Sequence, residues 1–426
     1  MHPFHHTPLA VSTHLSGTGK ISQNPYLKTH GTHAKIKTPD HEFIFNRNGE
    51  IRFIRGLGTA WPHPSEQLKR TDGNDWIHYS VGDDSTENGI ISWMGDYYLP
   101  CLPYPSNPVW EVNYMANPAV MTAFAAWSQL FATLYDKVWS KTLAPNAMEL
   151  ARQILAHDDQ TLFNSSQNLK QIIGAPVSVL PPDTRHVDYD VIPLVIADGC
   201  LYNCRFCCVK SAQKFQPRSQ AAIHAQIRRL REYYGHNLEN YNAVFLGNHD
   251  ALAAGESLVC TAAEAAFAQL GFNDGRKATP KLFMFGSVKA LVDANRSFFE
   301  RLDRLPFKTV VNIGLESVDS DTLRQIGKPL SPAKVINAFE KICTLNDTLA
   351  NVELTANFLM GTHLGKDHYQ SLAALLAHAP QQNRKKGGIY LSPVKDSPKK
   401  RELLPQFRQI KAQSRLPVFI YLIQRF

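Results

Sequence analysis

The sequence predicts an α/β protein: an incomplete (β/α)6 barrel of the TIM-like kind, preceded by an α+β domain. Three observations carry this. From about residue 190, short apolar runs of strand length alternate with stretches of helical periodicity, about six times over. Before that point there is no alternation, only a hairpin signal, short extended segments and an amphipathic helix. All six tryptophans fall between Trp61 and Trp139, so the composition breaks where the pattern does. The expected division is a flexible arm over 1–40, an α+β domain over 41–185, the barrel over 186–395, and a basic helix and strand over 396–426.

The arm is polar and rich in histidine (His2, His5, His6, His14, His30, His33), with no periodicity. Phe43-Ile44-Phe45 and Ile51-Arg52-Phe53-Ile54 then flank Asn48-Gly49, a hairpin signal. Segments at 76–79 and 90–93 also read as extended. Asn117-Pro118 supplies a cap and a first-turn proline. Val120, Phe124, Trp127, Phe131, Leu134 and Val138 follow at helical spacing. A second helix is expected over 147–155, then a proline-rich loop to about residue 186.

In the barrel, the strands are expected at 191–196, 243–246, 282–285, 310–313, near 352–360 and at 389–391. Between them, Ile223, Ile227, Leu230 and Tyr234 form a helical stripe stopped by Gly235, and 256–270 is closed by Gly271. Further helices are expected over 289–302, after Asp319 and from Ser331-Pro332. The apolar run at 418–423 is too short to span a membrane and reads as a strand covering a sheet edge.

A chain of 426 residues suits two domains. Seven cysteines, an odd number with three clustered, do not make a disulfide framework; they indicate a reducing compartment, and the cytoplasm is the expected location. The net charge of +8 is uneven: from Asn383 onward 11 Lys or Arg face two acids, Asp396 and Glu402. Such a segment would suit nucleic acid or an anionic substrate, or simply form a solvated face.

In barrels of parallel strands, chemistry gathers at the C-terminal strand ends. The first strand leads directly into Cys200-Leu201-Tyr202-Asn203-Cys204-Arg205-Phe206-Cys207-Cys208. Three thiols at Cys-x3-Cys-x2-Cys spacing, with an aromatic before the third, can converge on one soft metal centre. The spacing leaves three readings: an iron–sulfur cluster with one open iron, a structural zinc site completed by Cys208 or a histidine, or buried cysteines. The other strand ends present Gly247-Asn248-His249-Asp250-Ala251-Leu252, Gly286-Ser287, Gly314-Leu315-Glu316-Ser317 and Met360-Gly361-Thr362-His363. Cys101, Cys208, Cys260 and Cys343 are scattered and show no spacing for a second cluster.

The cysteine triplet resembles the signature of the radical S-adenosylmethionine (radical SAM) superfamily. The string Gly314-Leu315-Glu316-Ser317, followed by Asp319, Leu323, Ile326, Gly327 and Lys328, looks like the branch containing anaerobic coproporphyrinogen oxidases and elongator-type enzymes. In that branch the second strand often ends in a Gly-Asp-Gly-Asp-Ala-Leu type of turn, from which Asn248 and His249 depart here. The resemblance covers about half the chain and implies the following roles. Cys200, Cys204 and Cys207 hold three irons of a 4Fe-4S cluster, and S-adenosylmethionine chelates the fourth. Phe206 lies near the adenine. The turn carrying Gly247, Asn248 and Asp250 lies near the methionine amino group. Ser287 and Glu316 face the cofactor's carboxylate or ribose, and Gly361 allows close backbone approach beside the adenine.

The implied reaction is reductive cleavage of S-adenosylmethionine to a 5′-deoxyadenosyl radical that takes hydrogen from an unidentified substrate. A flavodoxin- or ferredoxin-like electron donor is the implied partner. Asp250, His249 and His363 are candidates to orient substrate or move protons, and no catalytic base is assigned. Two other classes stay open: a cluster- and SAM-binding protein without turnover, and a zinc-binding nucleic-acid protein using the basic C-terminal segment.

Overall fold

The computed structural model describes residues 10–16, 32–62, 66–74, 76–80, 116–175, 191–202, 204–207, 213–247, 249–273, 279–380, 386–394 and 402–420. The N-terminal half is a six-stranded antiparallel meander, β1 (Ala10–Ser16), β2 (Thr32–Lys37), β3 (His41–Phe45), β4 (Ile51–Gly56), β5 (Glu66–Arg70) and β6 (Trp76–Ser80). The expected hairpin is β3–β4, turning through Gly49 at φ +86°. Helices α1 (Pro118–Trp139), α2 (Pro145–Leu155) and α3 (Asp159–Ile173) follow. Asn117 caps α1 by accepting from Ala119 N, and Val120, Trp127 and Leu134 are buried in a core shared with Phe43, Phe45 and Ile54.

Two sequence expectations change here. Within the supposed arm over 1–40, residues 10–16 and 32–37 are strands, with β2 pairing β3 and β1 pairing β2. Own-sequence periodicity could not show this, because β2 buries little beyond His33 and Ile36 and takes its register from the neighbouring strand. Helix α3 occupies the first part of what reads as a loop. Asp158 caps it through Thr161 N at 2.8 Å and Gly174 stops it at φ +68°. The extended segment expected at 90–93, together with Cys101 and Cys208, lies outside the described residues.

The C-terminal half is a seven-stranded parallel sheet, ordered β15-β14-β13-β12-β11-β10-β7, with helices between successive strands. In chain order its elements are β7 (Val191–Leu194), a short antiparallel pair β8 (Ala197–Asp198) and β9 (Gln216–Pro217), and α4 (Gln220–Tyr234). Then come β10 (Ala243–Leu246), α5 (Glu256–Gln269), β11 (Lys281–Ser287), α6 (Val288–Asp293) and α7 (Arg296–Arg304). The last group is β12 (Lys308–Glu316), α8 (Ser320–Gln325), α9 (Pro332–Thr348), β13 (Val352–Met360), α10 (Lys366–Ala377), β14 (Ile389–Pro393), α11 (Leu403–Gln413) and β15 (Val418–Ile420). This is the expected partial barrel with the edge strand added at β14. One strand face packs on the helices; Val191, Phe245, Phe283 and Val310 form a separate cluster on the other.

Part of the C-terminal positive charge serves the fold. Lys386 Nζ donates to the carbonyls of Leu349, Ala350 and Val352 at 2.8, 2.9 and 3.1 Å, and Arg415 Nη1 to Ala379 O at 3.3 Å. Among the described residues no helix is long and apolar enough to cross a membrane.

The N-terminal sheet meets the barrel at the N-terminal end of β10. Asp72 accepts from Arg52 Nη1 at 2.6 Å, from Tyr234 OH at 3.2 Å and from Tyr241 OH at 3.0 Å. Asn240 exchanges two hydrogen bonds with the Thr32 backbone, at 2.7 and 3.1 Å.

Candidate functional site

The cysteine loop starts where β7 leaves the sheet, and its base is fixed from several sides. Gln226 both donates to and accepts from the Val195 backbone, at 3.0 and 2.8 Å. Arg218 grips Asp198 with two bonds of 2.8 and 2.6 Å and donates to Ile173 O at 2.6 Å. Gly199 stands at φ +71°, and a Cβ there would lie 2.4 Å from Lys214 O, so no side chain fits. Cys200 then forms a β-bridge with Lys214. Further along, Arg205 N donates to Ile326 O at 2.8 Å and Cys207 N to Cys204 O at 3.4 Å. The loop is therefore docked on the turn that follows α8.

That turn brings Lys328 to the thiols. Its side chain is buried, with Nζ 3.1 Å from Glu316 Oε1 and also donating to Gly314 O. The same ammonium stands 5.7 Å from the ring centroid of Tyr202, which lies between Cys200 and Cys204 in the loop. Tyr202 OH in turn accepts from Lys289 N at 3.2 Å. Glu316 holds φ +67°, where the β12–β13 register shifts between Gly314 and Glu316. Left-handed backbone at a glutamate costs on the order of 1–3 kcal/mol. A Cβ on Gly314 would lie 2.5 Å from Glu316 Oε1, so the bulge needs glycine there.

Asp250 completes the strand-end cluster. Its Oδ1 accepts from Ser287 N at 2.9 Å, while Oδ2 is buried with no hydrogen-bond partner among the described residues. Burial raises its pKa. Its charge acts on Cys200 and Tyr202 and feels Lys328, so all four groups share one electrostatic neighbourhood. Burial also raises the Cys200 thiol and pushes Cys204 up to about 11 and Tyr202 up to about 12. Lys328 opposes the rise at both cysteines.

The expected site residues fall as follows. Cys200, Cys204 and Cys207 share the loop, and Phe206 packs against the barrel's main core. Gly247 turns at φ +74° and donates to Leu194 O at 2.7 Å, tying the second strand end to the first. Asn248 lies outside the described residues. Ser287 Oγ accepts from Ala290 N at 3.0 Å and so caps α6, keeping its own proton to donate. Gly361 exchanges bonds with Tyr369 OH at 2.9 and 2.8 Å, and a Cβ there would lie 3.0 Å from the His363 ring. Burial lowers the His249 pKa, and His363 is exposed. Sequence reasoning assigned no site role to Tyr202 or Lys328, although Tyr202 lies inside the thiol loop and Lys328 ends the string that carries the family resemblance. Among the described residues no three His, Cys, Asp or Glu side chains form a set able to hold one metal ion.

The family model of the radical SAM superfamily matches residues 194–376, from the end of β7 into α10. Those residues, a little under half of the chain, are therefore similar to the radical SAM superfamily, whose members bind a 4Fe-4S cluster and S-adenosylmethionine. The match is to the superfamily and reaches no single branch. Among solved structures, a radical SAM methyltransferase from Sphaerobacter thermophilus is similar at 15% identity and TM-score 0.37, over 54% of this chain and 66% of that one. SuiB from Streptococcus suis is similar at 10% identity and TM-score 0.38, over 84% and 71%. The cobalamin-dependent radical enzyme OxsB aligns at 16% identity and TM-score 0.34, over 54% of this chain and 32% of its own. The chain thus spans about two thirds of the first and about a third of the last. Likenesses this distant carry neither substrate nor reaction over. No curated protein matches the chain.

The residues present fit the two cofactors. Three thiols on one loop offer soft ligands to iron, and the unpaired Asp250 Oδ2 is a buried acceptor for which an ammonium is a natural partner.

Proposed function

We propose that Cys200, Cys204 and Cys207 each hold one iron of a 4Fe-4S cluster, and that S-adenosylmethionine completes the fourth. Bound there, the pair supplies one-electron cleavage of the sulfonium to a 5′-deoxyadenosyl radical, which takes hydrogen from an unactivated carbon of the substrate. The chain's own residues bind, orient and exclude water. Asp250 Oδ2 accepts the methionine ammonium beside the turn at Gly247. Glu316 and Ser287 border the cofactor's carboxylate or ribose, with Phe206 and Gly361 beside the adenine. The observation that supports this most is the meeting, at one end of the sheet, of the thiol loop with the unpaired carboxylate oxygen of Asp250.

Electrons must come from outside, and we propose a small flavodoxin- or ferredoxin-like donor in the cytoplasm. The test is anaerobic reconstitution with iron and sulfide, followed by reduction in the presence of S-adenosylmethionine. The expected outcome is iron and sulfide in equal amounts and release of 5′-deoxyadenosine. A variant with C200A, C204A and C207A should lose both. Retention of zinc alone would overturn the reading.

A further inference from the structure

Lys328 and Lys69 are the buried lysines among the described residues, and only Lys328 stands at the strand ends. Its position is set with more care than a simple cap requires. Gly314 O and Glu316 Oε1 hold the ammonium from one side, and the Tyr202 ring lies on another. The backbone around it is tied to the thiol loop, because Ile326, two residues earlier, accepts from Arg205 N, next to Cys204. Lys328 N donates to Leu323 O at 2.9 Å and its carbonyl accepts from Leu330 N at 2.8 Å, so the segment cannot swing away freely. A neutral donor could have closed Gly314 O. A buried ion pair seldom adds stability over apolar packing, and this one is joined to a glutamate in left-handed backbone.

We propose that Lys328 sets the reduction potential of the cluster, holding it higher than three thiolates alone would, and that Glu316 partly offsets it. This rests on the cluster reading above. Reduction adds one negative charge to a centre already surrounded by thiolates. A fixed cation in a poorly solvated site stabilises the reduced form more than the oxidised one. The reach of the charge follows from geometry: the ammonium stands 5.7 Å from the ring of Tyr202, which lies between Cys200 and Cys204 in the loop, and the turn that carries it is bonded to Arg205 N beside Cys204.

The experiment is an anaerobic redox titration of reconstituted wild type, K328Q, K328R and E316Q, followed by the electron paramagnetic resonance signal of the reduced cluster, with iron and sulfide measured on each sample. In K328Q the ratio of reduced to oxidised cluster at a fixed potential should fall about tenfold, a shift of about 59 mV to more negative values for a one-electron couple. K328R should stay near wild type. E316Q should move the other way, which a merely structural pair would not do. Unmoved midpoints in K328Q and E316Q, or shifts of one sign in both, would overturn the proposal. Should K328Q fail to take up a cluster, an unmoved E316Q overturns it alone. A wild type that binds no cluster sinks the site reading itself, which is a different result from a cluster whose midpoint ignores residue 328.

Discussion

The two ends of the parallel sheet treat buried charge differently. At the N-terminal end, Asp72 is met by one guanidinium and two tyrosine hydroxyls. At the C-terminal end, Asp250 keeps one oxygen unpaired among the described residues, Glu316 sits in left-handed backbone, and Lys328 is buried beside the Tyr202 ring of the thiol loop. The contrast is one of charge rather than of every polar atom. Asn242 Oδ1 and Thr309 Oγ1, near the N-terminal strand ends, also lack partners among the described residues, but they are neutral. In barrels of parallel strands the N-terminal face serves stability and the C-terminal face carries the chemistry. Strain and unpaired charge persist where a ligand is to be met, and the surrounding fold must hold them.

Substitutions at the two aspartates should therefore act in opposite directions. D72A leaves Arg52 and two hydroxyls without their acceptor and should lower the unfolding free energy by about 3 kcal/mol, read from urea denaturation. A loss below about 1 kcal/mol would mean the contact between sheet and barrel rests elsewhere. D250N removes an unpaired buried charge and keeps an acceptor for Ser287 N. It should raise the stability of the cluster-free protein by about 1–2 kcal/mol while weakening S-adenosylmethionine binding, seen by calorimetry on reconstituted protein. A destabilised D250N with unchanged binding would erase the contrast. S287A loses the cap of α6 and should cost about 1 kcal/mol, a structural price small enough to leave cluster loading intact.

The smallest effect concerns His368, buried below the Glu316 turn. Its Nε2 donates to Leu359 O at 3.0 Å, so Nδ1 accepts from Ser317 Oγ at 2.8 Å and the ring is neutral. Burial lowers its pKa. The unfolded chain then binds a proton that the folded one refuses, so this contribution is present above about pH 6.5 and is lost as pH falls below it. H368Q should flatten that part of the profile of stability against pH. An unchanged slope would show that the ring is not held neutral.

The barrel was legible from sequence because buried parallel strands read as apolar runs and several helices announced a cap or a stop; α10, whose Gly365 offers no side-chain cap, was not read. Ser219, Asp319 and Ser331 all accept from the backbone they precede. The N-terminal edge was not legible, since β2 owes its place to pairing with β3, as the Lys35–Glu42 contact of 3.0 Å shows. In the site, spacing singled out the thiol loop but left three readings of what it holds. Lys328 entered only as the end of a family-like string, with no role, because nothing local distinguishes a lysine after a helix stop from a solvated one. Its role appears only when the bulge at Glu316 and the Arg205–Ile326 bond bring two strand ends together.

The central claim is that the loop of Cys200, Cys204 and Cys207 carries a cluster whose open iron takes S-adenosylmethionine. The most direct measurement is the electron paramagnetic resonance spectrum of the reduced, reconstituted protein with and without S-adenosylmethionine. The account predicts a cubane signal whose g-values move when the cofactor is added, and no such signal in the variant with all three cysteines replaced. A cluster signal that ignores the cofactor, or one that survives loss of the three thiols, would contradict it.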